Sequence, residues 1–165
     1  MGLDGTLYKT LLVLHIMAAI VGFGAVFLNG LYAAETKKRQ GPSGRAVLEA
    51  NIAVSSVAEK LIYAVPLLGI LLVLVSDEAW SFSDTWIWLS MALFVVGIGV
   101  SHSVVIPGAK RINALLLEIE TGPPPTGGPP PQVAVIEALG KRQAIGGGFL
   151  DLLLVALVAL MVFKP

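Results

Sequence analysis

Four long apolar stretches constrain this chain more than any other feature of its sequence. A helix rises about 1.5 Å per residue, so about 20 apolar residues are needed to cross the hydrocarbon core of a bilayer. Such stretches lie at about 8–33, 56–75, 86–106 and 145–163. Hydrophobic residues make up 56% of the chain and charged residues 13%, which excludes an ordinary soluble domain. We therefore predict an all-α protein: a four-transmembrane-helix antiparallel bundle with helices extended into the cytoplasm.

The length of 165 residues predicts a single integral membrane domain over residues 1–165. Between the third and fourth apolar stretches lies a Pro/Gly-rich loop tip, TGPPPTGGPPP, at 121–131. The sequence on either side of this tip has a helical pattern, so we expect two helices that project beyond the bilayer and are joined at the tip. The alternative is a disordered loop.

Basic residues are distributed unevenly between the two sides of these stretches. The first and third loops contain Lys37, Lys38, Arg39, Arg45, Lys110, Arg111, Lys141 and Arg142. The second loop contains three carboxylates and no basic residue, while the chain ends contribute only Lys9 and Lys164. Because loops rich in Lys and Arg remain in the cytoplasm, we predict a multi-pass protein with both termini outside.

Composition also excludes several classes of function. The formal net charge is zero, so no basic surface indicates nucleic acid as a partner. The chain has no cysteine, which excludes disulfides, zinc-thiolate sites and iron–sulfur clusters. No spacing of His and carboxylate residues predicts a metal site, and no serine has a neighbouring base at a catalytic spacing. We therefore expect a protein that is not an enzyme.

One ionisable residue, Asp151, lies inside the last apolar stretch, where a charge is costly unless it has a partner or a purpose. Counting helical rise from the inner surface places Asn29, Glu59, His102 and Asp151 at similar depths, about 5–9 Å below it. Lys60 follows Glu59 directly. We predict that these five residues form a polar binding site or proton relay in the cytoplasmic third of the bundle. The alternative is a structural role, in which Lys60 or His102 neutralises Asp151 and the polar set connects the helices.

Small and polar residues form one stripe along the first apolar stretch. The stripe consists of His15, Ala18, Gly22, Ala25, Asn29 and Tyr32, at steps of three and four residues. Residues at these steps share one face of a helix, so we expect the stripe to face the other helices.

His15 is the other histidine of the chain and lies near the outer surface, far in depth from His102. Met91 and Met161 lie at a similar level, and a His/Met pair is an established arrangement for haem iron. Haem b bound through His15 is therefore one hypothesis, although no cofactor is otherwise predicted. The alternative is a hydrogen bond from His15 to a helix carbonyl or to interfacial water.

The segments LLVLHIMAAIVGFGAVFLNGLY and LMVFKP resemble an uncharacterised family of small bacterial four-span membrane proteins. This resemblance implies a location in the bacterial cytoplasmic (inner) membrane. The histidine early in the first span is also remotely similar to that of CopD-like copper-resistance domains and HemJ-type protoporphyrinogen oxidases. Of the residues in those families, only the early histidine has a counterpart here, His15, and the similarity implies chemistry linked to copper or haem.

Three functional hypotheses follow from the sequence. The leading one is a non-enzymatic ligand-binding or transport-associated module with its polar site in the cytoplasmic third. The first alternative is a haem- or copper-linked membrane redox protein that uses His15. The second is an accessory or scaffold subunit of a membrane complex. The expected partners are the lipid bilayer and either a second copy of the chain or a membrane complex.

Overall fold

A computed structural model describes residues 3–39, 41–123 and 128–165 of the chain. Helices are the only regular elements among these residues. They are α1 (Thr6–Phe27), α2 (Asn29–Arg39), α3 (Gly41–Leu74), α4 (Thr85–Val100), a π-helical segment (Ser101–Val105), α5 (Ile106–Thr121) and α6 (Pro131–Phe163).

Four helical stretches are long and apolar enough to cross a membrane: Thr6–Arg39, Gly41–Leu74, Thr85–Thr121 and Pro131–Phe163. They contain 34, 34, 37 and 33 residues. Their length is therefore about 50–55 Å, whereas a bilayer core is only about 30 Å thick. The prediction of an all-α protein with four spanning helices is confirmed, and each helix is longer than the predicted apolar stretch that it contains.

Two glycines shape the start of α3, one through its backbone conformation and one through a close contact with α2. Gly41 has a φ of +55°, a conformation that residues with a Cβ rarely adopt. A Cβ on Gly44 would lie only 2.5 Å from the carbonyl oxygen of Thr36. Helix α3 therefore begins at a position where the backbone requires glycine.

The chain is divided into two compact units, and four helices, α1, α3, α4 and α6, contribute to both, α1 through Phe27 alone. Unit 1 comprises residues 1–26, 55–96 and 153–165. Its core consists of small and aliphatic side chains: Ala18, Ala58, Ile62, Val65, Leu72, Ile87, Leu153 and Leu157. At Gly22 an added Cβ would lie 2.9 Å from Cγ1 of Ile62. Helices α1 and α3 therefore approach closely at the predicted stripe, of which Ala18 and Gly22 are buried.

Unit 2 comprises residues 27–54 and 97–152. Charged side chains connect α3 to α5 within it. The Nε of Arg45 donates a hydrogen bond to Glu120 at 2.7 Å, and the same guanidinium also contacts Glu49. The amide nitrogen of Asn113 lies 3.4 Å from the Glu49 carboxylate. This polar network belongs to the part of α3 that precedes its apolar stretch.

The predicted loop tip at 121–131 lies between the end of α5 and the start of α6. Residues 124–127 of this tip lie outside the described residues. The helical pattern expected on both sides of it is observed, since α5 continues to Thr121 and α6 begins at Pro131.

Candidate ligand-binding cavity

A proline determines the local structure of the third spanning stretch. Pro107 has no N–H, so the carbonyl of Ser103 cannot receive its usual helical hydrogen bond. The chain responds with the π-helical segment, in which the N–H of Ile106 bonds to the carbonyl of Ser101, five residues earlier. Such π-helical segments are rare and occur frequently at functional sites.

Helix α6 packs closely against this segment and the start of α5, and glycines on both sides allow the approach. A Cβ on Gly146 would lie 3.2 Å from Cγ1 of Val104. The Gln143 amide donates a hydrogen bond to the Val105 carbonyl at 2.7 Å. Gly108 makes this contact possible, because a Cβ there would collide with the Gln143 amide nitrogen.

A cavity of about 210 Å³ lies beside this contact, within unit 2. Its lining consists of Ser103, Val104, Pro107, Gly108, Arg111, Leu139, Arg142 and Gln143. Sites for drug-sized ligands usually measure about 300–1,000 Å³. This cavity is therefore suited to a single polar group, such as a headgroup or a small anion, rather than to a large organic ligand.

Two arginines give the cavity a positive character. The Arg111 guanidinium lies 4.0 Å from Glu118, and both side chains are more than half exposed, so their attraction is weak. For Arg142 the structure shows no hydrogen bond or ion pair within residues 3–39, 41–123 and 128–165. An oxyanion would therefore find two guanidinium groups that are not neutralised by strong internal partners.

Three of the five residues of the predicted polar site belong to unit 2: Asn29, His102 and Asp151. His102 lies in the π-helical segment, and its Nδ1 is 3.0 Å from the Ile98 carbonyl oxygen. Asp151 is half-buried, and its carboxylate has no hydrogen bond or ion pair with any described residue. None of the three lines the cavity, although His102 directly precedes Ser103, which does.

The other two predicted residues, Glu59 and Lys60, belong to unit 1. The Glu59 carboxylate accepts a hydrogen bond from the Tyr63 hydroxyl at 2.7 Å, one turn along α3. Lys60 is exposed, as expected for a boundary lysine that extends towards lipid headgroups.

His15 contacts the neighbouring helix α3 inside unit 1. Its Nδ1 lies 3.0 Å from the Val65 carbonyl oxygen. Gly69 leaves space for the imidazole, since a Cβ there would be 3.4 Å from Cε1 of His15. This contact is the hydrogen bond to a helix carbonyl that the sequence offered as the alternative to haem. Met91 and Met161 are partly exposed, at 39% and 38%.

Sequence reasoning identified the basic residues of the cavity only as indicators of orientation. The sequence marks Arg111 and Arg142 as loop charges, and no pattern in it singles out Gly108 or Gln143. Pro107, four residues after the polar run SHS at 101–103, is the one local signal that points to this place. A proline near the end of a spanning helix leaves a carbonyl without its usual donor, which favours an irregular helix beside a cavity.

Comparisons with known proteins agree with this architecture. Neither a curated protein nor a solved structure matches the chain. A family model described as "predicted integral membrane protein" matches residues 9–165, which is nearly the whole sequence. Four spanning-length helices and this match lead to one conclusion: the chain belongs to the DUF2269 family of integral membrane proteins.

Proposed function

We propose that this protein is a non-enzymatic membrane module that binds a phosphate-type oxyanion in the cavity between the π-helical segment and α6. The observation that carries this proposal is the presence of Arg111 and Arg142 at one small cavity. Guanidinium groups match the geometry of phosphate oxygens and are the side chains most often used to bind them. The proposed ligand is the phosphodiester of an anionic lipid headgroup or a soluble phosphate.

The position of the cavity along the helices supports this ligand. Its residues lie at the end of the third apolar stretch and just before the start of the fourth. That level corresponds to the membrane–water interface, where lipid phosphates lie. Basic pockets between spanning helices on the cytoplasmic side are known to bind anionic headgroups. The proposal therefore keeps the site in the cytoplasmic third of the protein and centres it on the arginines.

The test compares single charge removals at adjacent positions. Arg142→Gln removes a cavity cation, whereas Lys141→Gln makes the same charge change at a residue that does not line the cavity. Each basic residue near a membrane surface contributes about 1 kcal/mol to the binding of an anionic lipid, which is about fivefold in affinity. We expect about a fivefold loss of phosphatidylglycerol binding for Arg142→Gln and less than twofold for Lys141→Gln. Native mass spectrometry of protein from lipid nanodiscs measures the bound lipid.

Titration with inorganic phosphate distinguishes the two sources of the ligand. Saturable binding of inorganic phosphate that is lost in Arg142→Gln indicates a soluble anion, whereas binding of phosphatidylglycerol alone indicates the headgroup. Equal losses for Arg142→Gln and Lys141→Gln would show that the cations act only through the surface potential. That result would refute a defined site in the cavity.

We propose a second candidate function, haem- or copper-linked redox chemistry at His15, because one contact favours it. Donation of the Nδ1 proton to the Val65 carbonyl leaves Nε2 as the unprotonated nitrogen. Metal-binding histidines are commonly oriented in this way, with one ring nitrogen bonded to a backbone carbonyl. The test is a Soret absorption band in protein purified from a haem-replete host, lost in His15→Ala. A colourless protein under those conditions would exclude the haem version, and absence of copper by elemental analysis would exclude the copper version.

We further propose that the protein lies in a bacterial cytoplasmic membrane with both termini outside. The distribution of basic residues supports this orientation. Because the chain contains no cysteine, single cysteines report accessibility without background. In intact cells a membrane-impermeant maleimide should label Ser81→Cys, in the second loop, and should not label Ser43→Cys, in the first turn of α3. The reverse labelling pattern would overturn the orientation.

A further inference from the structure

We propose that Trp80 and Trp86 form a binding site for a trimethylammonium group, which Lys164 of the same chain occupies in competition with the ligand. The two tryptophans are here called the aromatic corner. Both belong to unit 1. This site is independent of the anion cavity, and its ligand has the opposite charge.

The geometry of the aromatic corner is that of a cation–π site. The ring centroids are 5.3 Å apart and the ring planes are perpendicular, so the rings form two walls that meet at an edge. The ammonium nitrogen of Lys164 lies 4.1 Å from the centroid of Trp80 and 5.4 Å from that of Trp86. A cation within about 6 Å of an indole centroid is attracted by the negative face of the ring.

Contacts that do not involve Lys164 hold Trp80 in place. Its indole N–H donates a hydrogen bond to the Tyr8 hydroxyl at 3.1 Å. Its backbone N–H donates to the hydroxyl of Ser76 at 3.1 Å, and Ser76 is only 1% exposed. Trp80 therefore keeps its orientation whether or not Lys164 lies over it, which is what a preformed binding site requires.

Lys164, in contrast, occupies the aromatic corner under backbone strain. Its φ of +47° lies in the left-handed region, which is unfavourable for a residue with a Cβ. The residue that follows is Pro165, which restricts the conformation of Lys164 further. Lys164 is also exposed, so its side chain can leave without opening the core. These features make it an exchangeable occupant.

Charge and hydration favour a diffusible quaternary cation over the lysine. The connection between α3 and α4 contains Asp77, Glu78 and Asp84 and no basic residue, so its field attracts cations. A primary ammonium is compact and strongly hydrated, and it loses that hydration on an aromatic face. A trimethylammonium group has an apolar surface and is the type of cation that aromatic faces characteristically recognise.

Tryptophan fluorescence of the full-length protein in maltoside micelles tests the proposal. The chain has three tryptophans, so a Trp88→Phe background leaves only Trp80 and Trp86 as reporters. Tetramethylammonium and choline serve as probes. Because a tethered group competes at an effective concentration in the millimolar range, Lys164→Gln should lower the half-saturating probe concentration by about tenfold. Lys164→Arg keeps a cation over the rings and should bind the probes as weakly as the parent.

Matched controls separate the site from general effects. Lys9→Gln makes the same change at an exposed lysine near the start of α1, and it should leave probe binding unchanged. The neutral isostere of choline, 3,3-dimethylbutanol, has the same shape without the charge and should not saturate. Trp86→Leu removes one wall and should abolish saturation. Far-ultraviolet circular dichroism shows whether Trp86→Leu is folded. If it is not, Trp86→Phe replaces it, because phenylalanine keeps an aromatic ring but attracts a cation more weakly.

Nanodiscs distinguish a lipid headgroup from a free ligand. If Lys164→Gln responds to phosphatidylcholine discs and not to phosphatidylglycerol discs, the source of the trimethylammonium group is the bilayer. If only soluble choline changes the fluorescence, the source is a free solute, and both results support the site. Two results would overturn the proposal: no saturable tetramethylammonium binding in Lys164→Gln, or equal binding of choline and its neutral isostere.

Discussion

Gly22 offers the sharpest test of how the spanning helices pack. The structure places an added Cβ at this position 2.9 Å from Cγ1 of Ile62 and 3.1 Å from the Ile62 backbone nitrogen. Carbon atoms in contact prefer separations of about 3.5–4.0 Å. Because a backbone atom cannot rotate away as a side chain can, α1 and α3 must separate by about 0.5–1 Å to accept Gly22→Ala.

The expected cost follows from this separation. Overpacking of a close contact usually destabilises by about 1–3 kcal/mol. Alanine is the better helix former by up to about 1 kcal/mol, which offsets part of that cost. We therefore expect Gly22→Ala to lower the free energy of unfolding by about 1–2 kcal/mol. Unfolding of the purified protein in a dodecyl sulfate titration, followed by circular dichroism, measures this change.

Gly24 supplies the matched control, because a Cβ there would meet nothing within 4 Å. Gly24→Ala makes the same chemical change two residues away and should be neutral or slightly stabilising. In an Ile62→Ala background, where Cγ1 is absent, Gly22→Ala should cost less than in the parent, by about 0.5–1 kcal/mol. Equal unfolding free energies for Gly22→Ala and Gly24→Ala would refute the close approach of α1 and α3.

Three further predictions concern single contacts. Gly108→Ala should displace the Gln143 amide and lower the unfolding free energy by about 1 kcal/mol in the same titration. Adding Gln143→Ala should cost little more, because both changes remove the same hydrogen bond, and full additivity of the two costs would contradict this shared contact. Asp151→Asn should leave stability unchanged or raise it by up to about 2 kcal/mol, since it relieves a charge with no described partner; a loss above 1 kcal/mol would reveal a partner. Ser76→Ala should lower the unfolding free energy by about 1–3 kcal/mol, because the Trp80 N–H loses its acceptor, and an unchanged melting curve would contradict it.

What the sequence offered for the candidate site was a depth in the membrane, and that depth stays a prediction. Counting helical rise assigns His102 and Asp151 to the same level. Rise along an axis does not tell which way a side chain points around that axis. For this reason the count could not foresee that the cavity is lined by Arg142 and Gln143 rather than by either of them.

Local chemistry predicted some features correctly and missed others. The stripe through Ala18 and Gly22 was recognised because helical spacing places small residues on one face, and the structure buries both. The π-helical segment was not foreseen, although Pro107 causes it. A helix can respond to a proline with a kink, a lost hydrogen bond or an added residue in the turn, and neighbouring helices select among these responses.

The amino-acid sequence by itself determined that this protein has four spanning-length helices, because the length and apolar character of a segment decide whether it can cross a bilayer. Tertiary structure decided which distant residues meet. The contact of Gln143 with Gly108 and that of Lys164 with Trp80 each join segments far apart in the chain. Such contacts depend on how each helix is rotated about its axis and on which helix lies beside it. Both are set by the packing of small residues between helices, such as Gly22 and Gly146, and hydropathy does not encode them.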